Sequence, residues 1–323
     1  MKKVLVTGAG GFIGSHLAEK CVEEGYKVRA LIRYNSSGNW GWLENSKYKN
    51  KIEVVLGDVR DLESVNEAIF GCDTVFHLAA LIGVPYSYHS AISYLRTNIE
   101  GTYNVLEVAK SLKINNVLIT STSETYGTAQ YVSIDEKHPQ VAQSPYAATK
   151  IGADQLASSF FRSFGLPVKI VRPFNVYGPR QSARSIIPTI ILQILLGTQV
   201  NLGNISAKRD FTYVDDTVSG FLAIAKTDKL FGEVVNIGSG QAISVEELVV
   251  KIAKIVGKKV KITKESVRAR RSSSEVDRLL CDFSKLKKFT GWKPTYSLEE
   301  GLAETINWFV ANKNMYKGDI YNI

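Results

Sequence analysis

A tyrosine and a lysine lie four residues apart in the segment that runs from Ser144 to Lys150. Ser144 is a favourable N-cap residue and Pro145 suits the first helical position, which predicts a helix extending to Phe164. Tyr146 and Lys150 would then share one helix face. A free phenol has a pKa of about 10, and a nearby ammonium lowers that pKa because it favours the phenolate. The pair could therefore accept a proton from a hydroxyl group at neutral pH.

Two more polar side chains are predicted to lie beside this pair. The apolar run Val117-Leu118-Ile119 is typical of a buried strand, and Thr122 and Glu124 follow it directly. A hydroxyl and a carboxylate at this strand end could hold and move protons next to the tyrosine. Without these two side chains nearby, the same spacing would more often mean an exposed tyrosine beside a solvated lysine, because a lone Tyr-x-x-x-Lys occurs often by chance.

A glycine-rich loop near the start of the chain predicts a dinucleotide site. The predicted strand Lys3–Thr7 is followed by Gly8, Gly11 and Gly14, and then by a predicted helix from about Ser15 to Glu24. Glycines allow a tight turn and let the backbone approach a pyrophosphate at the helix N-terminus. A tight turn without any ligand is the alternative.

The second predicted strand, Lys27–Ile32, ends without a carboxylate. An acidic residue there would bind the ribose 2′-hydroxyl and select NAD, whereas an arginine would suit the 2′-phosphate of NADP. Arg33 stands at this position, with Asn35 and Ser36 close behind it. The sequence therefore favours NADP(H), with NAD(H) as the alternative, and an exposed arginine at a strand end would look the same.

Further strand ends are predicted to complete the cofactor site. Asp58 lies in the third predicted strand, Ile52–Val59, and is placed to accept from the adenine amino group. The fourth predicted strand, Thr74–Ala80, ends with Leu78-Ala79-Ala80, and its small residues leave room for a ribose and a nicotinamide. His77 within that apolar run is interpreted as a core histidine. Asn98 lies on a long predicted helix from about Ser93 to Leu112.

The alternation of strands and helices predicts an α/β protein with a Rossmann-type, doubly wound parallel sheet. A smaller mixed α/β lobe would lie over the carboxyl edge of the sheet, where such folds bind ligands. Residues 1–172 and about 211–240 are assigned to the dinucleotide-binding domain. Residues from about 173 to 210 and from 241 to 323 are assigned to the substrate lobe.

The composition narrows the class of protein. The chain has 323 residues and a net charge of +9, and its three cysteines have no metal-ligand spacing. No apolar run is long enough for a membrane span, and the N-terminus does not resemble a signal peptide. We expect a cytoplasmic protein without a metal site, membrane association or nucleic-acid binding. The positive charge would attract a nucleotide diphosphate.

Five motifs together resemble the extended short-chain dehydrogenases/reductases that act on nucleotide sugars. They are Thr7-Gly8-x-x-Gly11-Phe12-Ile13-Gly14, Leu78-Ala79-Ala80, Tyr146-x-x-x-Lys150, Arg172-Pro173-x-Asn175 and Arg209-Asp210-Phe211-x-x-Val214-Asp215-Asp216. Within that superfamily, Thr122-Ser123-Glu124-x-Tyr126-Gly127 resembles the active-site segment of the 4,6-dehydratases. The run Thr120–Lys150 is similar to the dehydratases of legionaminic-acid biosynthesis, which implies N-acetylglucosamine as the sugar. Arg33-Tyr34-Asn35-Ser36 resembles GDP-mannose 4,6-dehydratases, which use NADP.

The resemblance implies roles for individual residues. Tyr146 would take the C4 hydroxyl proton with Thr122 bound to the same oxygen, and Lys150 would hold the cofactor ribose. Glu124 would remove the C5 proton before the C6 hydroxyl leaves. Ser123 departs from dTDP-glucose dehydratases, which have an aspartate there, so either Glu124 acts as both base and acid or Ser123 relays the proton through water. The predicted cofactor contacts are Gly8, Gly11, Phe12, Ile13, Gly14, Arg33, Asn35, Ser36, Asp58, Val59, Leu78, Ala79, Ala80, Asn98, Thr120, Tyr146, Lys150 and Pro173.

Substrate contacts and competing activities complete the expectations. Asn175, Arg209 and Arg270 are the candidates for the substrate diphosphate. The resemblance also covers UDP-sugar 4-epimerases, which do not need Glu124, and UDP-glucuronate decarboxylases, which need one more arginine. A cofactor-binding regulator on the same fold is the non-catalytic alternative. A homodimer through the helices that match 93–112 and 146–164 is expected from the resemblance.

Overall fold

A parallel seven-stranded sheet forms the centre of the computed structural model, which describes residues 2–265, 268 and 274–316. Its strand order is β10-β6-β5-β4-β1-β2-β3, so the order reverses direction between β1 and β4. The strands of the described chain are β1 Lys3–Thr7, β2 Lys27–Arg33, β3 Ile52–Gly57, β4 Thr74–His77, β5 Asn116–Thr120, β6 Val168–Pro173, β7 Asn175–Tyr177, β8 Gln199–Leu202, β9 Lys208–Tyr213, β10 Val234–Ile237, β11 Ala242–Ser244 and β12 Lys261–Lys264. The predicted Rossmann-type α/β class is confirmed.

Helices cover both faces of this sheet. They are α1 Phe12–Glu23, α2 Leu62–Ile69, α3 Val84–Ser87, α4 Ala91–Tyr94, α5 Gly101–Ser111, α6 Pro145–Phe164, α7 Ile186–Leu196, α8 Val214–Ala225, α9 Val245–Val256, α10 Ser284–Thr290 and α11 Leu298–Ala311. Val4 and Val6 of β1 belong to the same core as residues of α1 and α8, whereas Leu5 packs with residues of α2, α5 and α6. Successive strand residues point to opposite faces, so strands buried on both sides are apolar throughout.

Two predicted helices differ from those observed. Helix α1 begins at Phe12 rather than Ser15, because Gly11 is its N-cap and Gly14 already belongs to its first turn. The predicted helix Ser93–Leu112 consists of α4, a π-helical stretch Leu95–Glu100 and α5. Apolar periodicity cannot reveal the extra residue that each π-helical turn accommodates.

The second half of the chain adds two small sheets. Strands β11, β9 and β7 form one, and β12 pairs in parallel with β8 in the other. Helices α7, α9 and α11 pack into the same apolar core as α1 and α8. The predicted domain boundary near residue 210 falls inside β9, and the division into two domains stays a prediction.

The described part of the chain has neither a helix suited to crossing a membrane nor a cluster of metal ligands. None of its helices combines the length and the apolar character that crossing a membrane requires. No group of three or more histidine, cysteine, aspartate or glutamate side chains within these ranges is arranged to hold a metal ion.

Candidate active site

The carboxyl end of β5 carries the first two predicted catalytic side chains. After Thr120 the chain turns into a short 3-10 helix, Ser123–Tyr126, with Thr122 as its N-cap. The Thr122 hydroxyl accepts a hydrogen bond from the Glu124 backbone N–H at 3.2 Å. This cap fixes Glu124 close to the strand end. Ser123 in the same turn is buried.

Helix α6 brings Tyr146 to this strand end. Ser144 accepts from the Ala147 N–H at 3.1 Å and Pro145 begins the helix, which confirms the predicted start. Burial raises the pKa of Tyr146 above that of a free phenol; a hydrogen bond with Thr122 lowers the pKa, and the charge of Glu124 raises it further. The structure therefore brings all three side chains together.

The expected lowering of the Tyr146 pKa is wrong for this structure. The ring is only 7% exposed and packs in a cluster with Val84 and Tyr94, whose own ring lies 6.2 Å from it. An apolar surrounding disfavours the phenolate, and this effect exceeds that of the nearby hydrogen bond. Tyr146 is consequently protonated at neutral pH in this structure.

Lys150 lies one turn further along α6 and is buried to 3% exposure. Its Nζ donates to the Thr120 backbone carbonyl at 2.5 Å. Burial lowers the Lys150 pKa to about 8, and the charge of Asp154 opposes that shift. The ammonium is therefore mostly charged at pH 7. It lies at the carboxyl end of β5, where Thr120 stands two residues before Thr122.

The glycine-rich loop fits a dinucleotide. Gly8 has φ +68°, and a Cβ there would lie 2.9 Å from the Ala79 backbone nitrogen. A Cβ on Gly14 would collide with the Gly8 carbonyl. Gly11 caps α1 without a side-chain hydrogen bond, so the first-turn N–H groups, starting with Phe12 and Ile13, can face an anion.

The backbone after β4 is held by a buried polar chain. The Thr7 hydroxyl accepts from the N–H groups of Leu78 and Ala79, both at 3.1 Å, and so donates to His77 Nδ1 at 2.9 Å. The Thr102 hydroxyl donates its own proton to the Asn98 backbone carbonyl. It therefore accepts from His77 Nε2, at 3.2 Å. Burial lowers the His77 pKa to about 3. The histidine is neutral, and its interpretation as a core residue is confirmed.

Asn98 connects this region to the catalytic helix. Its Oδ1 accepts from the Leu81 N–H at 2.9 Å, and its Nδ2 donates to the Leu81 carbonyl and to Thr149 Oγ1, both at 3.0 Å. The amide therefore braces the loop that contains Ala80 against α6. Its predicted direct contact with the cofactor stays a prediction.

The predicted ribose and adenine contacts lie at the ends of β2 and β3. Arg33 and Ser36 are exposed, whereas Asn35 uses its amide to hold its own turn, with bonds to Asn39 and other neighbours. Asp58 is half-buried and accepts from the Arg60 guanidinium; this hydrogen bond lowers the Asp58 pKa. Arg60 therefore already occupies the carboxylate that is predicted to accept from adenine, and the adenine contact stays a prediction.

The remaining predicted contacts are scattered along neighbouring strand ends. Val59 is buried beside Gly101, and Pro173 ends β6 opposite Ile237 of β10. Thr120 offers a buried hydroxyl that has no hydrogen-bond partner in the described chain.

The substrate candidates are held in different ways. Asn175 Oδ1 is buried without a hydrogen-bond partner among the described residues, which suits a ligand donor. Arg209 in β9 forms an ion pair with Glu275 at 3.1 Å and also donates to the carbonyls of Lys208 and Asp277. Arg270 lies outside the described residues.

Two residues around the site, Tyr94 and Asp154, were not singled out from the sequence, and Arg172 was noted only as part of a motif. Tyr94 covers the Tyr146 ring and donates to the Gly83 carbonyl at 2.5 Å. Asp154 and Arg172 form a buried ion pair behind Lys150, at 2.7 Å. Asp154 could have been found by its spacing of four from Lys150, whereas nothing in the local sequence marks Tyr94.

A family comparison decides what class of protein has this geometry. The sequence pattern of the family described as GDP-mannose 4,6 dehydratase matches residues 5–305. The chain belongs to this family. The prediction of an extended short-chain dehydrogenase/reductase of the dehydratase and epimerase type is thereby confirmed.

Relatives within the family have several activities. A trifunctional UDP-glucose 4,6-dehydratase/UDP-4-keto-6-deoxy-D-glucose 3,5-epimerase/UDP-4-keto-L-rhamnose-reductase of Arabidopsis thaliana is 32% identical over 99% of this chain. The chain spans only 48% of the length of that relative. A UDP-N-acetyl-alpha-D-glucosaminuronate decarboxylase of Bacillus cytotoxicus is 34% identical, with 95% of this chain and 98% of the relative covered.

Solved structures agree in fold and in the cofactor they contain. The dTDP-glucose 4,6-dehydratase DesIV of Streptomyces venezuelae, solved with NAD, gives a TM-score of 0.90 at 30% identity and covers 98% of this chain and 99% of its own. UDP-glucuronic acid 4-epimerase of Bacillus cereus, solved with UDP-glucuronic acid and NAD, gives 0.87 at 30% identity, with 97% and 100% covered. A nicotinamide cofactor is supported, whereas the predicted preference for NADP finds no support in these neighbours.

Proposed function

We propose that this protein is a nucleotide-sugar 4,6-dehydratase. The reaction would convert an NDP-hexose, with N-acetylglucosamine as the favoured sugar, into an NDP-4-keto-6-deoxyhexose and water. The observation that carries the proposal is the carboxylate of Glu124, which lies close enough to Tyr146 for its charge to raise the phenol pKa. A 4,6-elimination needs such a base one carbon away from the oxidised centre.

The first step assigned to the protein is removal of the C4 hydroxyl proton. Tyr146 is protonated in this structure, so the phenol would first have to lose its proton. As the phenolate it would then take the C4 hydroxyl proton, with Thr122 bound to the same oxygen and the charge of Lys150 favouring the phenolate. The chemistry that a bound nicotinamide supplies is reversible hydride transfer, from C4 at first and to C6 at the end. The C4 ketone makes the hydrogen on C5 acidic.

The second step assigned to the protein is loss of water across C5 and C6. Glu124 would take the C5 proton, and the C6 hydroxyl would leave as water with a proton returned to it. That proton comes either from Glu124 itself or from a relay through Ser123, which lies in the same 3-10 turn. The hydride removed from C4 would be the one returned to C6, so the reaction has no net oxidation or reduction. The cofactor would therefore stay bound and be recycled.

For the cofactor we retain NADP(H) over NAD(H) as the finer proposal. It rests on Arg33, exposed at the carboxyl end of β2, and on the lack of a carboxylate from Tyr34 to Ser37. The charge of Arg33 also acts on Asp58, so the guanidinium lies near the end of β3. NAD in the solved neighbours is the argument for the alternative.

The substrate diphosphate is assigned to Asn175, Arg209 and Arg270. Asn175 offers a buried carbonyl oxygen, which suits a donor on the substrate, and arginine forks suit phosphate oxygens. Glu275 shares Arg209 and would have to give up part of its ion pair to a diphosphate.

A UDP-sugar 4-epimerase is the second candidate, favoured by the likeness to the Bacillus cereus enzyme. Such an enzyme needs Tyr146 and Lys150 but has no step for Glu124. A UDP-glucuronate decarboxylase is the third candidate, and a relative with decarboxylase activity on a uronate is 34% identical.

Product masses test these candidates. The protein would be incubated with UDP- and GDP-N-acetylglucosamine, UDP-glucose, UDP-glucuronate, dTDP-glucose and GDP-mannose. Loss of one water supports the dehydratase, an unchanged mass with a new C4 epimer supports the epimerase, and loss of carbon dioxide supports the decarboxylase. Glu124→Gln should lower water loss by about 100-fold or more, with Glu136→Gln as a matched control on a neighbouring loop. Epimerase turnover that survives Glu124→Gln would overturn the proposal.

We also propose that the protein forms a homodimer through the helices around 91–111 and through α6. The surface of these helices exposes large apolar side chains, namely Ile92, Leu95, Tyr103 and Phe164. Apolar side chains of this size favour an interface between two copies. Sedimentation of the wild-type protein as a dimer, and of Phe164→Glu as a monomer, is the expected result; a wild-type monomer at micromolar concentration would contradict it.

A further inference from the structure

A third residue continues the line of Tyr146 and Lys150 along α6. Asp154 lies one helical turn after Lys150 and is only 1% exposed. Residues four apart on a helix are neighbours on one face, so the carboxylate lies next to the lysine side chain. Nothing in the proposed reaction requires a carboxylate at this buried position.

The Asp154 carboxylate is anchored from two strands. Its Oδ2 accepts from the Ser121 hydroxyl at 2.8 Å and from Arg172 Nε and Nη2 at 3.0 and 2.7 Å. Its Oδ1 is buried and has no hydrogen-bond partner in the part of the chain that the structure describes. Arg172 itself is only 3% exposed and lies over the Tyr126 ring at 4.8 Å. The ion pair is thus fixed in position. The charge of the carboxylate can still act on neighbouring groups such as the Lys150 ammonium.

The Lys150 ammonium depends on such a charge. Its Nζ donates to a backbone carbonyl, and a buried ammonium without an opposite charge loses its proton readily. His77 on β4 is neutral, and Glu124 after β5 acts on Tyr146. The charge of Asp154 is the one that opposes the effect of burial on Lys150.

We propose that Asp154 is a positioning residue that keeps Lys150 charged at neutral pH, with Ser121 and Arg172 holding its carboxylate in place. The consequence for catalysis rests on the proposed function, in which the charge of Lys150 favours a phenolate at Tyr146. The charge of Asp154 itself raises the Tyr146 pKa, so Asp154 would favour the phenolate only through Lys150. The effect on the lysine itself does not depend on any substrate. Asp154 would thus act through Lys150 and touch neither substrate nor cofactor.

The direct test is an NMR titration of the intact protein labelled with ¹³C at the lysine Cε atoms. The Lys150 signal is assigned as the one that disappears in Lys150→Met. We expect a pKa of about 8 for the wild type, because burial lowers the pKa of Lys150. In Asp154→Asn it should fall by about one unit or more, since removal of an opposite charge has effects of that size. An unchanged Lys150 pKa would overturn the proposal.

Control variants separate charge from structure. Ser121→Ala removes one of the three hydrogen bonds to the same carboxylate oxygen but no charge, and Arg172 still holds the carboxylate, so the Lys150 pKa should change much less than in Asp154→Asn. Asp154→Asn leaves Arg172 as an unpaired buried charge and could unfold the protein. The double variant with Arg172→Met leaves no unpaired charge, and its Lys150 pKa should fall as well; a wild-type value there would also overturn the proposal.

Activity provides a second readout. In Asp154→Asn the alkaline limb of the pH profile of kcat should move down with the Lys150 pKa, which gives about a twofold loss at pH 7 and about a fivefold loss at pH 8. A merely structural defect would lower kcat equally at every pH. If the wild-type protein turns over none of the nucleotide sugars, the proposed function fails, while the NMR titration still decides the role of Asp154.

Discussion

Lys150 and Arg209 are both buried cations, but their charges are compensated differently. Lys150 belongs to the proposed catalytic edge, which consists of Thr122, Glu124, Tyr146 and Lys150, whereas Arg209 lies in β9. Lys150 donates to a backbone carbonyl, and the charge that opposes the effect of its burial is that of Asp154, which Arg172 already binds. Arg209 is in direct contact with the carboxylate of Glu275. A cation whose opposing charge is not in direct contact keeps N–H donors that a ligand can use. A cation in direct contact with a carboxylate must give up that contact before a ligand can take its place.

The same contrast appears in the way each region is built. The proposed catalytic residues lie on one helix and on the turn after one strand, so short-range spacing fixes them. Of the diphosphate candidates, Asn175 lies in β7 and Arg209 in β9, and these two strands are neighbours only because β9 pairs with β7. Local geometry is therefore a better guide to the first region than to the second.

The largest expected effect tests the catalytic edge. Tyr146→Phe removes the proton-accepting oxygen but keeps the ring that packs against Val84 and Tyr94. Turnover of the accepted nucleotide sugar should fall by about 1,000-fold, within the usual range for loss of a general acid–base group. Product formation followed by mass spectrometry measures it. Tyr103→Phe, at an exposed position, is the control, and comparable losses in both would count against a special role for Tyr146.

The next effect concerns His77, which belongs to the buried polar chain that holds the backbone after β4. His77 is neutral in the folded protein, with its pKa lowered to about 3, but it takes up a proton below about pH 6.5 when unfolded. The unfolded state then binds more protons, so stability falls as the pH drops from about 6.5 towards 3. Between pH 6.5 and 5 the loss due to His77 should be about 2 kcal/mol.

Urea unfolding at pH 7, 6 and 5 measures this slope. In His77→Gln the contribution of the histidine should disappear from the pH dependence, whatever the change in stability at pH 7. His89→Gln, at an exposed position, should leave the slope as it is. A slope that is the same in wild type and His77→Gln would show that the neutral histidine is not what limits stability in acid.

A pair of variants sharpens the contrast with the second half of the chain. If Arg209 binds the diphosphate, Arg209→Ala should raise KM by about tenfold or more, since hydrogen bonds to charged groups contribute about 1.5–3 kcal/mol. Glu275→Gln should lower KM by severalfold, because the guanidinium no longer has a competing carboxylate. Steady-state kinetics tests both, and a rise of KM in both variants would mean that the ion pair is structural.

The smallest effect concerns the cofactor. Arg33→Ala should weaken NADPH binding about fivefold and leave NADH binding nearly unchanged, as expected for an exposed contact with a 2′-phosphate. Quenching of protein fluorescence on titration with each cofactor measures the two affinities. Lys27→Ala, at the opposite end of β2, is the control. Equal affinities of the wild type for both cofactors, unchanged in Arg33→Ala, would favour NAD as the physiological cofactor.

Much of the catalytic edge could be predicted because its determinants are local. The N-cap at Ser144, the spacing of Tyr146 and Lys150 and the polar turn after β5 are all confirmed as parts of the structure. The raised pKa of Tyr146 could not be predicted, since it depends on Tyr94, which lies 52 positions earlier in the sequence and reaches the ring only through the tertiary fold.

The parallel sheet, the glycine-rich loop and the Tyr146–Lys150 helix face could all be predicted from the sequence, because apolar periodicity, glycine steric freedom and helical spacing act over a few residues. The pairings of buried charges on remote segments, Asp154 with Arg172 and Arg209 with Glu275, came only from the tertiary structure. Burial and Coulomb interactions depend on distances between segments remote in the chain, and a linear sequence does not record those distances.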